Sequence, residues 1–220
     1  MINPTSLTFL RNLKEHNNRE WFHDHKNEYQ DAYNNVCDFS RALIQALAKI
    51  DPSIPLDLEP QKCIMRIYRD IRFSKDKTPY KTNFGIAISP NGKNFNGPGY
   101  YVHIQPGNSF VAAGSWYPVT EELKAIRQEI DYNFEGWRNI VFNENFLNAF
   151  GSLDTEAKLK TNPKGYFSDN PAIEFLKLKS FTASRQIGDD TLCSTGSVAM
   201  VTELFGNLYP MIVFLRNAIS

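Results

Sequence analysis

The sequence has no excess of charge of either sign, because 24 Lys and Arg residues balance 24 Asp and Glu residues among 220. A protein that coats nucleic acid is strongly basic, so the neutral total argues against that class. The balance is uneven along the chain: residues 61 to 85 hold seven Lys or Arg residues and two Asp residues, whereas the segments on either side are net acidic. This basic segment is therefore the first place to look for an anion site.

The sequence has only three cysteines, Cys37, Cys63 and Cys193, and no Cys-x-x-Cys pair. An odd number of cysteines at wide spacing fits neither a disulfide framework nor a zinc site. His23 and His25 stand two residues apart on a predicted helix, so they do not face each other and do not form a metal site. We therefore predict no metal, no cofactor and a reducing, cytoplasmic location.

Segments that direct a chain to or across a membrane are also absent. The first residues lack the basic region and the apolar run of a secretory signal. Pro210 and Arg216 interrupt the apolar segment near residue 220, so no run reaches the roughly 20 apolar residues that cross a bilayer. The chain has no internal repeat or low-complexity tract, and its length suits one hydrophobic core. We expect a single domain over residues 1 to 220 and no membrane partner.

Two common catalytic motifs are missing. Residues 92 to 99 are rich in glycine but lack the Gly-Lys-Ser/Thr ending of a phosphate loop. No serine lies in a Gly-x-Ser-x-Gly elbow. Whether the protein is an enzyme is therefore left open by the sequence.

The periodicity of apolar residues predicts helices, then strands, then helices. A long amphipathic helix begins near Asn17 and Asn18, where an Asn can cap it, and ends at Asp51 and Pro52. Helical spacing returns over residues 119 to 150, over a short segment at 171 to 177, and after Ser194 or Thr195 to the end, with a kink expected at Pro210.

Alternation with a period of two predicts strands at residues 63 to 72, 84 to 89, 100 to 105, 109 to 117 and 178 to 185. The loops between them are rich in Gly, Asn and Pro, which favours hairpins. The predicted fold is therefore α+β, with a mainly antiparallel sheet of about five strands covered by the long N-terminal helix and a C-terminal helix.

Several long motifs resemble one family. They are residues 66 to 82 (RIYRDIRFSKDKTPYKT), 99 to 104 (GYYVHI), 162 to 166 (NPKGY), 176 to 181 (LKLKSF) and 17 to 22 (NNREWF). This set is similar to domain-of-unknown-function family 2461, a widespread group of conserved hypothetical proteins, and it extends over nearly the whole chain. The resemblance implies a cytoplasmic, single-domain protein. It brings no established substrate, cofactor or catalytic residue.

The basic segment supplies the candidate ligand-binding residues. On a strand, Arg66, Tyr68 and Arg72 emerge on one face, and the loop that follows adds Lys75, Lys77 and Lys81. Arginine binds carboxylate or phosphate with two parallel hydrogen bonds, and lysine adds point charges. The alternative is a structural network in which Asp70, Asp76 and carboxylates of the first helix neutralise these cations.

A meander of the predicted strands would place this basic face beside Gly85, Ala87 and Ser89 of one strand and beside Tyr101, His103 and Gln105 of the next. His103 is then the candidate catalytic residue for proton transfer, because its ordinary pKa lies near neutrality and a nearby cation would lower it. The alternative is a half-buried, hydrogen-bonded histidine. A shift of one residue in register would remove the basic face from this cleft.

The sequence thus predicts the binding of a small anionic ligand, phosphate- or carboxylate-bearing, in a basic cleft, and it leaves turnover open. A second hypothesis is a nucleic-acid or protein interaction module that uses the same strand and loop, although duplex DNA is a poor partner for a neutral chain. A third is a scaffold with no ligand. The oligomeric state does not follow from the sequence.

Overall fold

The structure is a computed structural model that describes residues 1–220. It contains ten helices and a four-stranded antiparallel sheet, which confirms the α+β prediction and corrects the expected number of strands from about five to four. The helices are α1 (Pro4–Glu15), α2 (Arg19–Asp24), α3 (Lys26–Leu47), α4 (Pro60–Cys63), α5 (Thr120–Tyr132), α6 (Phe134–Val141), α7 (Glu144–Phe150), α8 (Ile173–Leu176), α9 (Asp189–Leu192) and α10 (Ser197–Ala218). The strands are β1 (Phe84–Ile88), β2 (Gly99–Ile104), β3 (Ser109–Ser115) and β4 (Phe181–Ile187), hydrogen-bonded in the order β1-β2-β3-β4.

The predicted strand at residues 63 to 72 is wrong. Cys63 ends the short helix α4, and the segment that follows makes only two isolated antiparallel bridges, Ile64 with Ile86 and Tyr68 with Tyr80. Within the loop beyond, the Asp70 carboxylate accepts from the backbone N–H of Arg72, and Lys77 Nζ donates to the carbonyl of Ile71 at 2.9 Å. Such side-chain bonds to nearby backbone give the chain an alternative to a strand ladder.

The N-terminal helices differ from the single long helix that the sequence predicts. Asn18 caps α2 as expected, because its side chain accepts from the backbone N–H of Trp21 at 2.9 Å. His25 then leaves helical geometry, with φ −106° and ψ 24°, and separates α2 from α3. Helix α1 was not predicted; Pro4 stands in its first turn, where a missing N–H costs nothing.

The later helices follow the predicted order with additional breaks. The region from residue 119 to 150 is divided into α5, α6 and α7, and the short helix predicted at 171 to 177 is α8. Helix α10 begins two residues after Thr195 and continues through Pro210. It is long and apolar enough to cross a membrane, but 44% of its apolar window is buried inside the structure. A core helix of a soluble protein passes the same test, so this is weak evidence for a span.

The chain divides into two compact units, and the first comprises Met1–Phe95, Tyr101–Val111 and Gln186–Glu203. Its core is formed by the buried faces of α1 and α3 packed together and by the inward residues of β1. Tyr29 of α3 stacks on Phe84 of β1 with ring centroids 6.4 Å apart. An ion pair between Arg11 and Asp189 at 2.8 Å ties α1 to α9. This unit contains every residue that the sequence predicts for the site.

The second unit comprises Asn96–Tyr100, Ala112–Arg185 and Leu204–Ser220. Trp137 of α6 is fully buried at its centre, where it contacts the rings of Phe175, Phe181 and Phe214 at 5.1 to 6.2 Å between centroids. Phe205 of α10 packs on Tyr100 at 5.0 Å. A buried aromatic cluster of this kind holds helices against strand β4 without polar contacts.

We expect Gly114→Ala to destabilise the protein by at least about 2 kcal/mol, because φ is +134° there and a Cβ would overlap the carbonyl oxygen of Phe181 and lie 2.8 Å from the Cα of Thr182. Gly107→Ala is the matched control. Its φ is +72° but a Cβ would meet nothing within 4 Å, so only backbone strain of about 1 kcal/mol is expected. Urea denaturation of both variants measures the difference, and equal losses would contradict the close approach of β3 to β4.

Candidate functional site

An open pocket of about 430 Å³ lies in the first unit between α2, the start of α3 and the segment from residue 68 to 80. Its lining is cationic and aromatic. The lining residues are Arg19, Phe22, His23, Lys26, Tyr68, Arg69, Ile71, Pro79 and Tyr80. A volume of this size is within the range of small-molecule sites in proteins.

The helical wall of the pocket carries its exposed basic groups. Arg19 and His23 stand four residues apart on one face of α2, and Lys26 is the first residue of α3, beyond the break at His25. Neither Arg19 nor Lys26 forms a salt bridge or a side-chain hydrogen bond. The wall therefore presents two unpaired cations to the pocket.

The floor of the pocket is aromatic. Phe22 and Tyr80 are buried and stack on each other with centroids 4.0 Å apart and planes 13° from parallel. Tyr68 leans against Tyr80 at 5.4 Å and 52°, and 53% of Tyr68 is exposed. Burial and the neighbouring Tyr68 raise the pKa of Tyr80, and the nearby Arg19 opposes that rise.

Backbone pairing fixes the opposite wall. Arg69 N–H donates to the carbonyl of Pro79 at 2.9 Å, and Lys81 N–H donates to the carbonyl of Ile67 at 2.7 Å, on either side of the bridge between Tyr68 and Tyr80. In such a pair the backbone groups of Tyr80 point away from residue 68. They require partners on the other side.

Asn17 supplies those partners. Its side-chain Nδ2 donates to the carbonyl of Tyr80 at 3.0 Å, and its Oδ1 accepts from the N–H of Tyr80 at 3.1 Å. The amide of Asn17 therefore occupies the place of a neighbouring strand. Since Asn18 caps α2, two consecutive asparagines connect that helix to the segment that carries the opposite wall.

The pocket has no carboxylate in its lining. Arg69 is bonded to Asp76 and Thr78, which stand outside the lining, and the pKa of Asp76 is lowered to about 2 chiefly by the Thr78 backbone and then by Arg69. Arg19 and Lys26 have no such partner. The arrangement is electrostatically incomplete and can bind an anion.

Of the residues predicted for the ligand site, only Tyr68 lines this pocket. Arg72 forms a two-pronged ion pair with Asp70, at 2.9 Å and 2.7 Å, and this pair is largely exposed. The Arg72 side chain lowers the pKa of Asp70. For Arg72, the structure favours the ion-pair alternative that the sequence left open.

The other predicted lysines and Arg66 lie elsewhere. Lys77 donates to the backbone of Ile71, and Lys75 is exposed without a salt bridge. Lys81 is half-buried, and burial, together with the charge of nearby Arg66, lowers its pKa. None of these four residues lines the pocket.

His103 lies on β2 with Tyr101, and Gln105 is the first residue after β2 ends; the three share a face because they stand two residues apart. His103 Nε2 is 2.9 Å from Gln105 Oε1, which can only accept, so Nε2 carries the proton and Nδ1 accepts. The Tyr101 hydroxyl therefore donates to Nδ1 at 3.1 Å, and Phe110 stacks on the ring at 4.7 Å. Both ring nitrogens are occupied.

The pKa of His103 is lowered by burial, and not by a neighbouring cation as the sequence predicts; the bond to Gln105 partly opposes this effect. Burial also raises the pKa of Tyr101. Both groups therefore stay neutral near pH 7. A role in proton transfer for His103 remains a prediction, and it would require the exchange of one of these two hydrogen bonds.

The predicted register of the basic segment is also wrong. A Cβ built on Gly85 would lie 2.6 Å from the Tyr101 hydroxyl oxygen and 3.2 Å from Met65 Cγ. Met65, whose N–H donates to the carbonyl of Gly85 at 2.8 Å, is thus the residue beside Gly85 and Tyr101. Arg66 was expected there. A Cβ at Gly85 would share a face with the side chain of Tyr101, as predicted.

The sequence reasoning did not name Arg19, His23, Lys26 or Arg69 as site residues, and it named Tyr80 only as an aromatic neighbour of the basic segment in the interaction-module hypothesis. The spacing of 19, 23 and 26 on a predicted helix was a usable signal. It was obscured because residues 1 to 60 are net acidic as a whole.

Comparison with known proteins gives one match. A family model described as conserved hypothetical protein (DUF2461) matches residues 5–214. No curated protein and no solved structure matches the chain. No group of three or more His, Cys, Asp or Glu residues is arranged to hold a metal ion.

We expect Asn17→Ala to lower the free energy of unfolding by about 2 kcal/mol, because it removes two hydrogen bonds from the buried Tyr80 backbone. Asn17→Asp keeps the acceptor and loses the donor, so an intermediate loss is expected. Asn18→Ala, which removes only the cap of α2, is the control at about 1 kcal/mol. An Asn17→Ala variant as stable as wild type in urea denaturation would exclude this bridging role.

We expect His103 to make stability sensitive to acid. Burial lowers its pKa in the folded protein below the ordinary value near 6.5, so the unfolded chain binds the proton more readily. The stabilisation is complete above about pH 6.5 and is lost as the pH falls through the lowered pKa. Thermal melts of wild type and His103→Gln from pH 7.5 to 5 should therefore diverge, with wild type losing more. Parallel curves would show that His103 titrates normally.

Proposed function

The chain belongs to the conserved hypothetical protein family DUF2461, and from this premise and the pocket geometry we propose that it binds a small anionic ligand between α2, α3 and residues 68 to 80. One observation carries the proposal: four of the nine lining residues are Arg, Lys or His, and none is Asp or Glu. Cations gathered without carboxylates repel one another in the empty pocket. A bound anion removes that repulsion.

Arg19 and Lys26 are the groups that bind the anion in this proposal. Arg69 adds to the positive potential, although Asp76 neutralises part of its charge. His23 is exposed on the same face of α2 as Arg19 and offers a further hydrogen bond. Arginine suits the two-pronged binding of phosphate or carboxylate, and lysine adds a mobile point charge.

The shape of the site favours a small ligand over a nucleic acid. The cationic groups converge on one pocket of about 430 Å³. A nucleic-acid surface instead needs basic groups spread along a groove, with one cation for each of several phosphates. The neutral total charge agrees with this choice. A cytoplasmic location forms part of the proposal, and turnover of the ligand is not required by it.

The proposal predicts that the double change Arg19→Ala and Lys26→Ala leaves the melting temperature unchanged or higher in a phosphate-free buffer, because it relieves repulsion. Wild type should gain a few degrees when inorganic phosphate is added to well above its dissociation constant. The double variant should lose that gain. Thermal melts with and without phosphate, at constant ionic strength set with chloride, measure both effects.

The double change Arg66→Ala and Arg72→Ala is the matched control, since it removes the same charge from the segment that the sequence favoured. It should retain the response to phosphate. Loss of the response in this control, with retention in the Arg19 and Lys26 variant, would move the site to the basic segment. No response of wild type to phosphate, sulfate or carboxylates would favour a scaffold without a ligand.

A further inference from the structure

We propose that the ligand is a phosphate monoester that carries a planar aromatic ring and has about the size of one nucleotide. The inference rests on the proposed anion site and adds the chemical class of the ligand. It follows from the number of unpaired cations, from the exposed ring of Tyr68 and from the volume of the pocket.

The number of unpaired cations indicates the charge of the ligand. Arg19 and Lys26 are the two cations of the lining without an acidic partner, because Arg69 is bonded to Asp76. A phosphate monoester carries close to two negative charges at neutral pH, since its second pKa is about 6. A carboxylate carries one. A monoester therefore neutralises the pocket, and a carboxylate leaves one cation unpaired.

Tyr68 provides a surface for a ring. Of the three aromatic residues in the lining, Phe22 and Tyr80 are stacked on each other and are only 5% and 6% exposed. Tyr68 touches them at a tilt, 52° to Tyr80 and 58° to Phe22, and remains 53% exposed. A large aromatic residue left half exposed inside a pocket is a place where a planar group can stack.

The volume limits the size of the ligand. A pocket of about 430 Å³ accommodates one ring and one phosphate group, on the scale of common small-molecule sites. Ile71 and Pro79 add apolar surface beside Tyr68 in the same lining. The ring and the phosphate therefore meet different surfaces of one pocket, the ring at Tyr68 and the phosphate at the helical wall.

The test is calorimetric titration of the full-length protein in a phosphate-free buffer with four probes: inorganic phosphate, phenol, phenyl phosphate and adenosine 5′-monophosphate. Phenyl phosphate and the nucleotide should bind about tenfold tighter than inorganic phosphate, as one stacked ring adds that much. Phenol, which has no charge, should bind weakly or not at all.

Variants of Tyr68 separate the ring from the anion. Tyr68→Ala should reduce the affinity for phenyl phosphate about tenfold and leave that for inorganic phosphate unchanged. Tyr68→Phe, which keeps the ring, should retain both affinities. Circular dichroism checks that each variant is folded, and Tyr132→Ala, which removes an 89% exposed ring from the second unit, is the control for a general surface effect.

Two results would overturn the inference while the proposed anion site stands: equal affinity for inorganic phosphate and phenyl phosphate, or loss of both affinities in Tyr68→Ala. A single-stranded oligonucleotide of ten residues that binds far more tightly than the mononucleotide would overturn it in favour of a nucleic-acid surface. If no phosphate-bearing probe binds wild type, the proposed function and this inference both fail.

Discussion

The bridging of Tyr80 by Asn17 is the constraint on which the candidate site depends. The neighbours of Tyr80, Pro79 and Lys81, form the backbone hydrogen bonds to the segment around Tyr68. The N–H and carbonyl of Tyr80 itself point to the other side, where they bond to the side chain of Asn17. A buried backbone N–H and C=O without partners would cost on the order of 1 to 3 kcal/mol each. The amide removes that cost and at the same time connects α2 to the opposite wall. The side chain of Asn17 thus takes the place of a neighbouring strand beside Tyr80, and its two bonds hold the two walls of the pocket together.

The electrostatics of the pocket follow from how each wall satisfies its own charges. In the loop wall, Arg69 bonds to Asp76; Arg72, which lies outside the lining, bonds to Asp70 in the same loop. In the helical wall, Arg19, His23 and Lys26 form no salt bridge, and the lining holds no carboxylate. Exposed ion pairs contribute little to stability, so the loop pairs mainly cancel charge. The charges that no acidic partner cancels are those of Arg19 and Lys26, and this difference between the two walls is the reason for proposing an anionic ligand.

Sequence patterns predicted the elements whose periodicity is reinforced by burial. The strands β1 to β4 and the cap at Asn18 were found because alternation, turn residues and capping chemistry agree there. The alternation from Cys63 onward had no such support, since Ile67 is its only fully buried residue beyond Ile64. Local bonds of Asp70 and Lys77 then decided the conformation. Strand register and long-range contacts, such as that between Asn17 and Tyr80, produce no periodic pattern in the sequence. Periodicity therefore does not show which segments meet at the pocket.

Charge counting along the chain and the lining of the pocket both lead to the proposal of an anionic ligand, but they point to different residues. A net count over a segment adds paired and unpaired cations alike, although only unpaired ones attract an anion at contact. Four of the seven cations between residues 61 and 85 have local acceptors: Lys62, Arg69, Arg72 and Lys77. Arg19 and Lys26 lie in a net acidic stretch and form no salt bridge. Glu20 and Asp24 of α2 are exposed and lie outside the lining of the pocket. The geometry of pairing, more than the density of charge, therefore determines where an anion can bind.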